Sequence, residues 1–159
     1  YWEKKFKAEQ SEAFLTQAKM AKERGLPIVI HVRDAWEELF SLMDKVNDES
    51  LRGVFHCFTG GLKEAERALD YGGFLLGIGG VSTYKNGGLD KVLPSIPLKS
   101  LVLETDSPYL SPVPHRGKRN ESSYLVHIAK KLAEIKGVSF EEVASVTKEG
   151  AVKMFGLKK

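Results

Sequence analysis

The 159-residue chain has a composition near the globular average, with 42% hydrophobic and 28% charged residues, so we expect one folded domain over residues 1–159. No apolar stretch approaches the roughly 20 residues of a membrane-spanning helix, and no secretory signal is visible. The single cysteine, Cys57, excludes an intrachain disulfide framework and is typical of a reducing compartment, so we expect the cytoplasm. A net charge of +3 permits nucleic-acid contact without establishing it.

Helical and strand patterns alternate along the sequence. Apolar residues at three- and four-residue steps predict a helix over residues 4–24, ended by Gly25, and a short β-branched run at 28–30 predicts a strand that His31 closes. We predict three further strands, at 53–56, 73–78 and 100–103. Further helices are predicted at 35–46, at 62–69, after an Asn120 cap, and from the Ser-x-x-Glu capping box that begins at Ser139.

This alternation predicts an α/β fold with a parallel sheet, which is either an open doubly wound sheet or part of a barrel. Polar residues end the strands at His31, His56 and Asp106, which are 25 and 50 positions apart, and this regular spacing favours a TIM-type (β/α) barrel. A complete barrel takes about 250 residues, so four strands correspond to roughly its C-terminal half to two-thirds. Because the sequence starts at Tyr1 without an initiator Met, we expect the remaining strands upstream. Two open sheet edges would then need the missing N-terminal segment or self-association to cover them.

The three polar strand ends are the candidate active site, because barrel enzymes place their reacting groups at the C-terminal ends of strands. Imidazole and carboxylate ligands suit Zn, Mn or Mg, so His31, His56 and Asp106 could converge on a divalent metal. A phosphate-binding barrel without metal remains the alternative, since a lone histidine near a strand end is often structural. Cys57 should point to the opposite side of the strand from its neighbour His56, which disfavours a nucleophilic triad.

Supporting residues lie beside these strand ends. Glu104 is two positions from Asp106 and should share its face, where it could handle a proton or orient a ligand. Arg33 follows the first strand and forms either an ion pair with Asp34 or a contact to a substrate phosphate.

A short basic loop follows the Asp106 strand. Its charged residues are Arg116, Lys118 and Arg119. They could bind the phosphate groups of a phosphodiester, or they could simply be solvated surface residues.

Four segments resemble signatures of the TatD family of metal-dependent deoxyribonucleases, in the family's order. They are residues 26–35 (LPIVIHVRDA), 53–60 (GVFHCFTG), 103–110 (LETDSPYL) and 112–120 (PVPHRGKRN). The resemblance implies a TIM-type barrel and hydrolysis of phosphodiester bonds in DNA from the 3′ end, with one or two divalent metal ions. It also implies that His31, His56 and Asp106 are metal ligands.

Relatives of this family add a His-x-His pair and a glutamate from earlier strands, and none of the four histidines of this chain forms such a pair. Ser122 and Gly150 stand where the family often has proline and asparagine, and neither position touches a proposed ligand.

Under this resemblance, metal-activated water would attack the phosphate, with Glu104 and Asp106 as the catalytic carboxylates and the arginines neutralising charge. Two rivals remain open from the sequence. One is hydrolysis of a small amide or ester on the same barrel, and the other is a catalytically incomplete fragment or nucleic-acid-binding module.

Overall fold

The computed structural model describes residues 5–157, and the structural statements below concern this part of the chain. Four strands form one parallel sheet in the order β1-β2-β3-β4, so neighbours in sequence are neighbours in space. The strands are β1 (Ile28–His31), β2 (Gly53–His56), β3 (Phe74–Ile78) and β4 (Leu101–Leu103). The helices are α1 (Lys7–Arg24), α2 (Trp36–Val46), α3 (Leu62–Asp70), α4 (Leu89–Val92), α5 (Leu125–Lys136) and α6 (Phe140–Phe155).

The predicted α/β class and its parallel sheet are confirmed, with element boundaries within a few residues of those expected. The first predicted helical residue, at position 4, lies outside the described residues. Because each crossover between parallel strands runs back over a helix, all four strands end at the same edge of the sheet. In the register of β1 with β2, His31 lies directly opposite His56.

The main core lies between the sheet and its covering helices. Side chains that are almost fully buried come from both layers, among them Phe40 of α2, Phe55 of β2, Leu76 of β3 and Leu132 of α5. The aromatic ring of Phe55 packs against Phe74, with centroids 5.1 Å apart. Strand residues that alternate with these face the other side of the sheet.

A smaller apolar cluster covers part of that second face. Val54 of β2 and Val102 of β4 pack there with Met154, and Ala151 contributes from the same helix as Met154. By the alternation of side chains, this face also carries His31, His56, Gly77 and Glu104 at the carboxyl ends of the strands. Helix α6 therefore supports the sheet on the face that carries the candidate site.

The helix termini confirm two predictions about where helices end or begin, and they correct a third. Gly25 adopts φ 61° after α1 and closes that helix, and the Ser139 hydroxyl accepts from the Glu142 N–H at 3.0 Å at the start of α6. The prediction that Asn120 caps a helix was wrong. Its buried side chain donates to the Tyr109 carbonyl at 2.6 Å. A 3-10 turn lies between Asn120 and the start of α5.

Within residues 5–157, no helix is long and apolar enough to cross a membrane.

Strands β1 and β4 are the outer strands of the four-stranded sheet. Val29 in β1 is 59% exposed, whereas Val54, its partner in β2, is 2% exposed. The face of the sheet that α6 covers at Val54 is therefore open at β1 in this part of the chain.

Candidate active site

Side chains from two strands that are not neighbours meet at the carboxyl edge of the sheet. The His56 Nε2 atom lies 2.9 Å from Asp106 Oδ1, and the Nδ1 atom of the same ring lies 2.8 Å from Glu104 Oε1. All three side chains are mostly buried. One ligand atom from each of these residues falls within 4.8 Å of the others, a spacing that can hold a metal ion.

Strand β3 lies between β2 and β4, and its glycines make this meeting possible. A Cβ atom at Gly77 would collide with the Glu104 carboxylate, and one at Gly79 would lie 3.5 Å from Asp106 Oδ2. Any larger residue at position 77 would therefore occupy the space that Glu104 needs. Glu104 is therefore the group that approaches the backbone of β3 at Gly77.

Glu104 serves as a fixed support for the site. Its Oε1 atom accepts from both the His56 ring and the backbone N–H of Cys57. A carboxylate bound to one imidazole nitrogen orients the other nitrogen and raises its basicity toward a metal. The expected common face for Glu104 and Asp106 is what the structure shows, since both contact the same imidazole.

Burial and neighbouring charge shape the protonation of this cluster. Burial raises the pKa of Glu104, and the nearby His56 ring and the Cys57 N–H oppose that rise. Burial lowers the pKa of His56, but the charges of Glu104 and Asp106 outweigh it, so the pKa is raised overall. Two carboxylates around one imidazole therefore create a strongly cation-attracting position.

Cys57 departs from its predicted direction. Its φ of 46° lies in the left-handed region, so the chain turns directly after β2 instead of continuing as an extended strand. Burial, followed by the charge of the adjacent Asp106 carboxylate, raises the pKa of the thiol to about 12. The expectation that Cys57 faces away from the site was wrong, although a thiol with this pKa stays protonated and is a poor nucleophile.

The Asp106 carboxylate offers direct support for a bound cation. Its Oδ2 atom is buried and has no hydrogen-bond partner among the described residues. A buried carboxylate oxygen without a partner is energetically costly, and coordination to a metal would satisfy it. Nitrogen and oxygen donors of this kind suit Zn, Mn or Mg, so the residues present fit the metal that the sequence predicts.

The other predicted site residues lie at the end of β1 or in the loop after Asp106. His31 is exposed beside His56, with ring centroids 5.9 Å apart, and is not part of the group of close ligand atoms. Arg33 is exposed just beyond β1. The Arg116 guanidinium lies over the Tyr84 ring at 3.9 Å from its centroid.

Lys118 and Arg119 are exposed in the same loop. Tyr84 was not singled out in the sequence, because nothing in its local pattern indicates that a distant loop packs on it.

Three kinds of comparison agree on the family. The model of the family described as TatD related DNase matches residues 1–156. The uncharacterized metal-dependent hydrolase YabD of Bacillus subtilis is 43% identical over 156 residues, covering 98% of this chain and 61% of the relative. The 3'-5' ssDNA/RNA exonuclease TatD of Citrobacter rodentium is 36% identical over 154 residues, covering 93% of this chain and 58% of the relative.

The crystal structure of YJJV, a TatD homologue from Escherichia coli K12, superposes with a TM-score of 0.83 at 29% identity, covering 89% of this chain and 54% of that one. An amidohydrolase from Saccharomyces cerevisiae superposes with a TM-score of 0.78 at 18% identity, which shows a shared fold alone. The chain spans about 60% of the length of the curated relatives, which is 61% for YabD and 58% for TatD. With the family signatures of the sequence lying on the strand ends that build the site, the chain belongs to the TatD related DNase family.

Proposed function

We propose that the protein is a metal-dependent hydrolase that cleaves phosphodiester bonds in DNA, and that single-stranded nucleic acid is its substrate. The observation that carries this proposal is the buried Oδ2 atom of Asp106, next to the His56 ring, which has no hydrogen-bond partner within residues 5–157. Support also comes from relatives named 3'-5' ssDNA/RNA exonuclease TatD. The single cysteine is in keeping with a reducing compartment, and we propose the cytoplasm as its location.

We assign His56 and Asp106 as metal ligands and His31 as a further ligand that approaches from the neighbouring strand. One or two divalent ions, of Zn, Mg or Mn, would polarise the phosphoryl oxygen and lower the pKa of a bound water. Glu104 holds the His56 ring through Nδ1 and so directs Nε2 toward Asp106. The buried Glu104 carboxylate, with its raised pKa, is also the group best able to accept a proton beside the reacting atoms.

Positive side chains at the same edge of the sheet would bind the substrate backbone. Arg116 lies next to this edge through its contact with Tyr84, and Lys118 and Arg119 extend from the same loop. Arg33 follows His31 at the end of β1. A guanidinium can bind two phosphate oxygens at once, which suits binding of the substrate backbone.

We also propose that the four strands are consecutive strands of a (β/α)₈ barrel, of which this chain forms the C-terminal half to two-thirds. Coverage of 54–57% of solved TatD-family structures supports this correspondence. Outer strands β1 and β4 would then pair with the remaining barrel strands, or with a second copy of the chain. Either arrangement would bury Val29.

The test is metal-dependent cleavage of a 5′-labelled single-stranded oligodeoxynucleotide by the wild-type protein and by Asp106→Asn. We expect bound divalent metal by mass spectrometry and products shortened from the 3′ end, and we expect both chelator and Asp106→Asn to abolish cleavage. Asp90→Asn, at an exposed position of α4, is the matched control and should retain activity.

Cleavage that persists with chelator or in Asp106→Asn would contradict the proposed metal chemistry. Metal-dependent hydrolysis of small amides or esters, without cleavage of DNA, would favour the rival hydrolase. Binding of the oligonucleotide that is unaffected by chelator, without any hydrolysis, would favour the binding module.

A further inference from the structure

A 3-10 turn and a distant loop together form a wall beside the Asp106 carboxylate. The turn, Gly80–Thr83, follows β3 after one residue, and a Cβ atom on Gly80 would collide with the Leu110 carbonyl oxygen. The Thr83 hydroxyl accepts from the Val113 N–H at 2.9 Å. The turn and the loop after Asp106 are therefore in direct backbone contact.

Tyr84 comes directly after this turn and contacts the loop in two ways. Its hydroxyl donates to the Ser111 carbonyl at 2.9 Å, which fixes the ring against the loop. The guanidinium carbon of Arg116 lies 3.9 Å from the ring centroid, well inside the distance for a cation–π interaction. The Arg116 side chain is otherwise exposed, so the tyrosine ring is the surface that restricts it.

The electrostatic surroundings of Tyr84 indicate that it lies near the candidate metal ligand. Burial raises the pKa of its phenol, the Arg116 charge lowers it, and the charges of Cys57 and Asp106 raise it further. Tyr84 therefore lies within electrostatic reach both of the arginine and of the candidate metal ligand. An arginine held on this ring therefore keeps its charge in the neighbourhood of the candidate metal ligand.

We propose that Tyr84 is a positioning residue that holds the Arg116 guanidinium ready for the substrate phosphate. This inference rests on the proposed function. An exposed arginine loses rotamer freedom when it binds a phosphate, and a side chain that is already ordered loses less. The cation–π contact leaves the N–H groups at the rim of the guanidinium available for phosphate oxygens, because the ring occupies only one of its flat faces.

The loop has anchors that do not involve Tyr84. The His115 ring stacks on Tyr124 with centroids 4.0 Å apart, and its Nε2 atom lies 3.2 Å from Nε2 of His127. The Ser111 hydroxyl donates to the Lys118 carbonyl at 2.5 Å. Loss of the Tyr84 ring should therefore release Arg116 while the loop keeps its path.

The experiment compares Tyr84→Leu, Tyr84→Phe, Arg116→Ala and the double variant Tyr84→Leu/Arg116→Ala, each with its metal bound. KM and kcat are measured for a single-stranded oligodeoxythymidylate, and metal content and thermal unfolding are recorded for each variant. We expect Tyr84→Leu to raise KM by roughly 2- to 5-fold, the size of an exposed cation–π contact, with little change in kcat. Tyr84→Phe keeps the ring and should restore most of the wild-type KM.

The double variant decides whether Tyr84 acts through Arg116. We expect its KM to match that of Arg116→Ala, because the ring has no guanidinium left to hold. Additive effects, or a Tyr84→Leu protein with wild-type KM, would overturn the inference while leaving the proposed hydrolase intact. An Arg116→Ala protein with wild-type KM would overturn both the inference and the phosphate role of Arg116, and a complete lack of cleavage in the wild type would count against the proposed function itself.

Discussion

His56 and Asp106 lie 2.9 Å apart, Nε2 to Oδ1, although His56 ends β2, Asp106 follows β4, and a third strand separates the two. The intervening strand, β3, has Gly77 beside the Glu104 carboxylate. Because Gly77 has no side chain, Glu104 can reach across β3 to the His56 ring. The site is thus built across β3 rather than between adjacent strands. This geometry makes the glycine as important to the site as the ligands.

Gly77→Ala should weaken metal binding without unfolding the protein. The new Cβ atom would collide with the Glu104 carboxylate and displace it from the His56 ring. Loss of such a supporting carboxylate typically costs about 10- to 100-fold in metal affinity, which calorimetric titration with Mn²⁺ would measure. Gly150→Ala is the matched control, because its Cβ would meet Leu75 Cδ1 at an ordinary 3.5 Å. Equal affinities in the two variants would contradict the supporting role of Glu104.

Phe55→Ala should destabilise the fold strongly. The ring is 0% exposed and packs between Phe74 and Trp36, with centroid distances of 5.1 and 6.2 Å. Removal of a buried phenylalanine ring costs about 3–5 kcal/mol, measurable as a lower free energy of unfolding in urea. Phe6→Ala, at a 49% exposed position just before α1, should change that free energy far less. A small loss for Phe55→Ala would mean that the core is packed differently from the structure.

Ser139→Ala should remove the N-terminal cap of α6. The serine hydroxyl satisfies the Glu142 N–H, and its loss typically costs about 1 kcal/mol. Thermal unfolding should show a correspondingly lower Tm. The control is Ser145→Ala, an exposed position in the interior of the same helix, where alanine has the higher helix propensity and the Tm should hold or rise. If the two alanine variants had the same Tm, the cap would have no measurable role.

Asp48 should contribute stability that depends on pH. Hydrogen bonds and charge from Lys22, with hydrogen bonds from Ser50, lower its pKa from 3.8 to about 2. A lowered pKa means that this stabilisation is fully present above pH 3.8 and is lost as the pH falls toward about 2. The free energies of unfolding of wild type and Asp48→Asn should therefore differ near neutral pH and converge in acid. A difference that stays constant over this range would show that the Lys22 ion pair adds no pH-dependent stability.

The order of elements could be predicted because each strand is a short apolar run that ends at a polar or glycine residue. Convergence of His56 with Asp106 followed from this order, since parallel strands end at one edge of a sheet. The role of Glu104 was predictable only as far as its face. Its actual partners depend on space left by Gly77, which is a property of the neighbouring strand.

What the sequence could not give depends on backbone turns and distant contacts. The left-handed conformation of Cys57 redirects its thiol toward Asp106, whereas the alternation rule assumes a strand that continues. Asn120 has the residue type of a helix cap but bonds to the Tyr109 carbonyl instead, because the loop folds back on itself. The stacking of Arg116 on Tyr84 joins residues 32 positions apart and leaves no local pattern.

The Gly77 backbone and the Glu104 carboxylate share one small volume, so the sizes of the residues at these two positions constrain each other. A substitution that enlarges residue 77 is tolerable only where residue 104 is shorter, and a longer carboxylate at 104 demands glycine at 77. Across TatD-related sequences the two positions should therefore covary as a pair. Relatives with glycine and glutamate at these two positions should support the histidine equivalent to His56 in the same way, and relatives without this pair should support it differently.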